Sequence, residues 1–140
     1  MQNSLTPTRA RLLWELPLLL LTGGVLYCTI EMLFRGHTHI SMAFCGAVCF
    51  FLIYRFDQKK HRWSLPWRAL IGAVMITAVE LVAGCILNLW LGLGVWDYSD
   101  MPYQLAGQIC LPFSCLWFLF SIPACLLCKW IRKRIFGDEA

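Results

Sequence analysis

The chain has 140 residues, of which 59% are hydrophobic and only 14% are charged, and its formal net charge is +4. This composition excludes an ordinary soluble domain and indicates an integral membrane protein with room for one compact domain. Anionic lipid headgroups explain the positive charge, so no nucleic-acid partner is required.

Four apolar segments are long enough to span a bilayer as helices. The sequence therefore predicts an all-α, integral membrane four-helix bundle that forms a single transmembrane domain over residues 1–140. The first segment exceeds signal-peptide length and has no small-residue cleavage site before Glu31, so we interpret it as a retained helix. The predicted helices cover about residues 12–34, 39–56, 66–93 and 104–131.

Pairs of small residues occur within the predicted helices. In lipid, such residues let two helix backbones approach closely, so they predict contacts between the helices of the bundle. The pairs are Gly23-Gly24, Gly46-Ala47, Gly72-Ala73 and Ala83-Gly84.

The basic residues predict the topology. Eleven of the twelve Lys and Arg residues lie at the N-terminus, in the loop between the second and third helices, or at the C-terminus, and Arg35 is the exception. Four spans place these three regions on one side of the membrane, and the positive-inside rule assigns that side to the cytoplasm. We therefore expect both termini in the cytoplasm and a multi-pass protein of the cytoplasmic (inner) membrane.

The loop after the first helix is rich in polar residues. Glu31 and Arg35 are four residues apart, so on a helix they share a face and can form an ion pair. His37 and His39 would point in opposite directions in an extended segment, which is poor geometry for holding one metal ion. We interpret the loop as an interfacial turn held by an ion pair. The alternatives are a role in ligand binding or proton handling and, less favoured, a haem or metal site.

The third helix contains one isolated acid. Glu80 has no charged residue for eleven positions before it or sixteen after it. Its carboxyl group therefore lies near the middle of the membrane, where an ionisable group needs a partner, a proton or water. Asn88 follows two turns later, and Gly84 between them leaves a groove for a partner helix or a ligand. Together with Ser114 of the fourth helix they predict a polar pathway or binding site; the alternative is that Glu80 is a structural contact.

The second outward loop contains the dense sequence Trp96-Asp97-Tyr98-Ser99. Its aromatic rings suit the interfacial belt of a membrane protein. The segment 99–102 is typical of a turn before the fourth helix. An anchor and a turn explain most of this loop, but the same four residues could also line a solute site.

All eight cysteines fall inside the predicted helices, where a free cysteine behaves as a small hydrophobe. Cys125 and Cys128 have the spacing of a metal or redox pair, but no second pair or nearby histidine completes a zinc site. We expect packing roles and no disulfides, and the sequence identifies no cofactor. The cysteines are Cys28, Cys45, Cys49, Cys85, Cys110, Cys115, Cys125 and Cys128.

The two predicted helical hairpins share a pattern. Each has an acid in its first helix (Glu31 and Glu80), a serine in its loop, and a Gly-x-x-Cys sequence that begins at Gly46 or Gly107. Both hairpins would enter the membrane in the same direction, so a duplication would give a parallel repeat about the membrane normal. Chance similarity between apolar segments is the alternative.

Three segments carry a more specific pattern: Glu31-x-x-x-Arg35-Gly36-His37-Thr38-His39-x-Ser41-Met42, Trp96-Asp97-Tyr98-Ser99-x-x-Pro102 and Gly107-x-Ile109-Cys110-Leu111-x-x-Ser114. They resemble the bacterial family of ABC-transporter type IV, or CmpB-like, small multi-span membrane proteins. The similarity covers roughly residues 30–119. In that family an Asn commonly stands where this chain has Gln104, and an Arg where it has Gln108. The chain therefore lacks any charge pairing that such an Arg makes in relatives, for example with Asp97 or Glu80.

The resemblance implies a transport role. The chain has no Walker A sequence, so a permease of this kind would need an ATPase, another membrane subunit or self-association into a homo-oligomer. We expect a small transporter-like permease component that binds or moves a small solute. Glu80 would be the polar centre within the membrane, and residues 96–99 with Glu31, Arg35 and His37 would form the outward-facing gate or site.

Two other classes of function stay open from the sequence. The main alternative is a non-transport membrane sensor or assembly protein whose outward loops bind a partner. The least favoured is a membrane-embedded enzyme that uses Glu80, His37, His39 or Asp97 as a general acid or base, because no nucleophile–base pair is evident.

Overall fold

The computed structural model describes the backbone of residues 7–137 and the side chains of residues 11–137. Arg9, which contributes to the charge pattern, lies outside the described side chains. Within the described residues, four spans are long and apolar enough to cross a membrane, and the third of them runs from Leu65 to Trp90. This confirms the predicted all-α four-helix fold. The helices are α1 (Pro7–Arg35), α2 (Ile40–Lys60), α3 (Leu65–Gly84), which continues as a π-helical segment (Cys85–Trp90), and α4 (Leu111–Arg134).

Local sequence explains where three of the helices begin. His39 precedes α2, and its Nδ1 atom accepts a hydrogen bond of 3.2 Å from the backbone N–H of Ser41. Pro66 and Pro112 lie in the first turns of α3 and α4. A proline is favoured there because the N–H that it lacks would have no partner inside the helix.

The fourth helix begins at Leu111 rather than at 104, because residues 104–110 form a short antiparallel hairpin. Strand β1 (Gln104–Leu105) pairs with strand β2 (Ile109–Cys110). Residues 103, 106 and 107 all have positive φ angles, which are incompatible with a continuing right-handed helix. Cys110, expected in a helix, therefore lies in a strand.

The third span ends at Trp90 rather than at 93. Gly92 and Gly94 both adopt positive φ angles immediately after it. Glycine adopts this conformation without steric cost, and it commonly follows the last turn of a helix.

The helices pack as two hairpins. In the described part of the chain, α1 packs along α2 and α3 packs along α4, while α2 also contacts both α3 and α4. The proposed two-hairpin repeat requires this pairing, but the β-hairpin before α4 has no counterpart in the short turn between α1 and α2. The repeat itself stays a prediction.

The two ends of the bundle differ in chemistry. The basic end contains the start of α1, the turn between α2 and α3, and the end of α4. The start of α1 meets the end of α4 there, since the Arg11 guanidinium lies 5.1 Å from the centre of the Phe136 ring. The opposite, loop end contains the turn between α1 and α2 and the segment 91–110.

A buried ion cluster joins three helices at the basic end. Asp57 of α2 is fully buried. Its Oδ1 lies 2.8 Å from Nε of Arg68 in α3, and its Oδ2 accepts a hydrogen bond from Nη1 of Arg132 in α4. Arg68 also donates a hydrogen bond of 3.1 Å to the carbonyl oxygen of His61. The cluster fixes the α2–α3 turn, and sequence analysis did not single out Asp57.

Glycines bring α1 and α2 into close contact. A Cβ atom at Gly23 would lie 2.5 Å from the carbonyl oxygen of Gly46 and from Cβ of Phe50, and a Cβ atom at Gly46 would collide with that of Tyr27. Neither glycine therefore has space for a side chain unless the two helices separate.

We expect Gly46→Ala to destabilise the protein by roughly 1–3 kcal/mol, because relieving this overlap must displace α1 and Tyr27. The loss should appear despite the higher helix propensity of alanine. Thermal unfolding in detergent measures it. Val48→Ala, two residues along the same helix at a position 46% exposed, is the control and should change stability much less. Equal melting temperatures for Gly46→Ala and the unaltered protein would contradict the prediction.

Candidate functional site

Glu80 joins three helices near the middle of the bundle. Its side chain in α3 is only 2% exposed. Its Oε1 atom accepts a hydrogen bond of 3.2 Å from the hydroxyl of Tyr27 in α1, and its Oε2 atom accepts one of 3.0 Å from Nε1 of Trp117 in α4. The two donors replace hydrogen bonds that the carboxyl group would otherwise make to water, which lowers the cost of burying it.

The same two donors form the wall of a cavity. The rings of Tyr27 and Trp117 stack with their centres 5.4 Å apart, and both line a space of about 310 Å³ between α1 and α4. The remaining walls are mostly apolar and come from all four helices. We call this space the α1–α4 cleft; its lining includes Gly23, Leu26, Phe50, Ile76, Phe120 and Ala124.

At the loop end, the predicted ion pair between Glu31 and Arg35 forms. Nη1 of Arg35 lies 3.0 Å from Oε1 of Glu31, and the hydroxyl of Thr38 donates a hydrogen bond of 2.8 Å to Oε2. Nη2 of Arg35 also donates to the carbonyl oxygen of Val95, at 2.9 Å. The pair therefore closes the α1–α2 turn and ties it to the second loop.

A small space lies beside this ion pair and shares the side chains of Tyr27 and Trp117 with the cleft. Its volume is about 20 Å³, which is room for about one water molecule. Its polar lining residues are Glu31, Arg35, Tyr98, Tyr27 and Trp117, and its other lining residues are apolar. Burial and the nearby Glu80 carboxylate raise the pKa of Tyr98, so its hydroxyl stays neutral and can donate or accept a hydrogen bond. We call the five polar residues that line this space, together with Glu80, the polar column.

Three of the four residues in the sequence Trp96-Asp97-Tyr98-Ser99 fold the second loop. Trp96 is buried, and its Nε1 donates a hydrogen bond of 2.9 Å to the carbonyl oxygen of Gln108. Asp97 accepts hydrogen bonds from the hydroxyl and the backbone N–H of Ser99, and these bonds hold the pKa of Asp97 below its usual range. Only Tyr98 lines the polar column.

The groove predicted beside Gly84 is filled by this chain itself. A Cβ atom at Gly84 would lie 2.5 Å from Oε1 of Gln108. That Oε1 atom accepts a hydrogen bond of 2.8 Å from Nδ2 of Asn88, whose Oδ1 accepts one of 2.7 Å from the N–H of Val95. Asn88 thus secures the second loop, and the groove is closed to a ligand or partner helix.

The remaining predicted site residues lie elsewhere. Ser114 is hydrogen-bonded to Thr77 at 2.9 Å and lines an open apolar groove on the outer face of α3 and α4. His37 contacts Arg35 through both ring nitrogens, at 3.3 Å and 3.1 Å, and His39 caps α2. Within residues 11–137 no group of His, Cys, Asp and Glu side chains could hold a metal ion, and the eight cysteines are free thiols.

Sequence reasoning missed Tyr27 and Trp117. Aromatic residues inside apolar helices are typical of core packing, so neither residue suggested a site. A signal was available in α1, where Tyr27, Glu31 and Arg35 follow one another at intervals of four residues and therefore share one helix face. All three line the polar column.

Four membrane-length helices around a buried polar column define a multi-pass membrane protein. The chain belongs to the family described as "Putative ABC-transporter type IV", which matches residues 37–137. The match covers α2, α3, the second loop and α4, so the α1 residues of the polar column lie outside it. No curated protein and no solved structure matches the chain.

Proposed function

We propose that the chain is a small transporter-like permease component that binds or moves a small solute in the α1–α4 cleft. The observation that carries this proposal is the double role of Tyr27 and Trp117. Both donate hydrogen bonds to Glu80, and both line the cleft. A solute in the cleft therefore contacts the groups that hold the buried carboxylate.

The cleft favours a mostly apolar solute that carries a polar or positively charged group. Its volume of about 310 Å³ lies at the lower end of the range of small-molecule sites, about 300–1,000 Å³. Its apolar walls suit the body of the molecule. A donor group on the solute could take the place of Tyr27 or Trp117 as a hydrogen-bond partner of Glu80, which would couple binding to a change of packing between α1 and α4.

The helix packing supports movement of α1. In the described part of the chain, α1 packs mainly on α2 and has no extended contact with α3 or α4. Ring contacts bridge it to α4, namely Tyr27 with Trp117 and Phe34 with Phe120. Moving α1 away from α4 would break few contacts as long as α1 stays packed on α2, whereas separating α3 from α4 would break a long interface.

Family membership supports a part in an ABC-type transporter, and the chain has no Walker A sequence of its own. We propose that it works with an ATPase or another membrane subunit, or as a homo-oligomer, in the cytoplasmic membrane with both termini in the cytoplasm. The cations of the basic end would then face any cytoplasmic partner.

Native mass spectrometry of the protein extracted from its own membrane in mild detergent tests the proposal. We expect a retained small molecule in the unaltered protein, and we expect Ala124→Phe to reduce its occupancy at least about tenfold by filling the cleft. Leu126→Phe is the matched control, because Leu126 lies on the same helix, is 51% exposed and does not line the cleft. Thermal unfolding of both variants checks that each is folded.

The outcomes separate the classes of function. A retained solute that Ala124→Phe removes and Leu126→Phe leaves would support binding in the cleft, and a co-purified ATPase would add the ABC-type assembly. Equal occupancy in the two variants would overturn the cleft as the site. A retained protein partner without any small molecule would favour the sensor or assembly role instead.

A further inference from the structure

A second cavity lies at the basic end, away from the polar column, and all of the described residues that line it are basic. It has a volume of about 370 Å³ and is lined by His61, Arg62, Arg68, Lys129 and Arg132. The α2–α3 turn provides the first two residues, the start of α3 the third, and the end of α4 the last two. Two parts of the chain that are distant in sequence, residues 61–68 and 129–132, thus direct cationic side chains into one space.

The positive charge of this cavity exceeds the negative charge beside it. Arg68 and Arg132 share the single carboxylate of Asp57. Arg62 and Lys129 are exposed and form no ion pair within the described part of the chain. Four permanent cations therefore face one buried carboxylate, and the Asp57 side chain lies behind the arginines rather than in the cavity lining.

One buried donor at the cavity wall has no partner. Arg132 is 4% exposed, and its Nη2 atom is buried without a hydrogen-bond acceptor among the described residues. A buried donor left unpaired is costly, and a charged one more so. A small shift of the surrounding side chains would open this donor to the cavity, where oxygen atoms of an anion would supply the missing acceptor. Guanidinium groups match the geometry of phosphate oxygens especially well.

We propose that this cavity binds the phosphate group of a molecule with a net negative charge. Three exposed tryptophans, Trp63, Trp67 and Trp130, lie on the same end of the helices, and tryptophan is enriched at the depth of lipid headgroups. The phosphate could belong to an anionic phospholipid or to a soluble phosphate compound at the same membrane surface. The site is independent of the proposed solute cleft, because the two cavities share no lining residue.

Two double variants of equal charge test the site. Arg62→Ala/Lys129→Ala removes two cations from the cavity but leaves the Asp57 cluster intact. Arg55→Ala/Lys133→Ala removes two exposed cations from the ends of α2 and α4 that do not line it. Both doubles should unfold at the same temperature as the unaltered protein, because none of the four side chains is buried.

Binding is measured by native mass spectrometry and by titration into nanodiscs, with dioleoyl-phosphatidylglycerol, dioleoyl-phosphatidylcholine or inorganic phosphate as the probe. We expect the unaltered protein to retain phosphatidylglycerol in preference to phosphatidylcholine. The cavity double loses direct charge-assisted hydrogen bonds to the phosphate, so it should weaken phosphatidylglycerol binding at least about tenfold. The control double should weaken it much less, and raising the salt concentration should weaken binding to the unaltered protein.

Competition between phosphatidylglycerol and inorganic phosphate shows whether the bound phosphate belongs to a lipid or to a soluble compound. If millimolar inorganic phosphate fails to displace bound phosphatidylglycerol, the cavity is a lipid site. If inorganic phosphate displaces the lipid, and this displacement is lost in the cavity double but not in the control double, the cavity is a site for a soluble phosphate compound. Equal losses in the two doubles, or no preference for phosphatidylglycerol over phosphatidylcholine together with no binding of inorganic phosphate, would overturn the proposal.

Discussion

Replacing Asp57 with Asn is expected to destabilise the protein by about 3–5 kcal/mol, the usual cost of removing one partner from a buried ion pair. The change leaves two guanidinium groups, on side chains 8% and 5% exposed, without the carboxylate that they share. Because the cluster joins α2, α3 and α4, the loss should reduce the fraction of monodisperse protein in detergent as well as its unfolding temperature.

Two comparisons identify the cause of that loss. Asp100→Asn changes the same group in an exposed loop position and should have little effect. The triple variant Asp57→Leu/Arg68→Met/Arg132→Met removes all the charges together and should recover much of the stability, since an apolar set of similar volume can replace a buried ion cluster. A stability of Asp57→Asn within about 0.5 kcal/mol of the unaltered protein would mean that the cluster contributes little.

The sequence predicted the helices well because the thickness of the membrane sets the number of apolar residues in a spanning helix. That number does not depend on tertiary contacts. The prediction failed at residues 104–110, where a β-hairpin replaces the predicted start of the fourth helix. Tyr103 and Ala106 adopt positive φ angles that neither residue type favours. The hairpin residue Gln108 makes hydrogen bonds with Asn88 and Trp96, and contacts of this kind between separated residues become visible only when the chain is folded.

The part of the site that could be predicted from the sequence consists of charged residues that are isolated among apolar ones. Glu80 and the pair of Glu31 with Arg35 stand out from an apolar background, and the structure places both in the polar column. Tyr27 and Trp117 have no such contrast with their surroundings. Asp57 was overlooked for the opposite reason: it lies among cations near a helix end, where an acid is ordinarily solvated, and only the packing of α2 against α3 and α4 buries it.

Glu80→Leu removes the carboxyl group and is expected to destabilise the protein, because two buried hydrogen-bond donors lose their acceptor. Each buried donor without an acceptor costs about 1–3 kcal/mol, and both the Tyr27 hydroxyl and the Trp117 N–H would lose their acceptor. Glu80→Gln retains one acceptor oxygen, so it should lose about half as much. Chemical or thermal unfolding in detergent measures the stability of each protein. The unaltered protein should be the most stable, Glu80→Gln less stable and Glu80→Leu the least stable.

The triple variant Tyr27→Phe/Glu80→Leu/Trp117→Phe separates stability from solute binding. It removes donors and acceptor together, so it should be more stable than Glu80→Leu alone, yet it should lose the solute that the proposed cleft retains. Thr77→Val/Ser114→Ala, which removes a hydrogen-bonded pair outside the cleft, should keep the solute. If the triple variant, or a normally assembled Glu80→Gln protein, retained and moved solute at the original level, Glu80 would be a structural contact between helices. Stable folding with loss of solute would instead mean that the hydrogen-bonded set of Tyr27, Glu80 and Trp117 is maintained for binding, because a bundle without it would fold equally well.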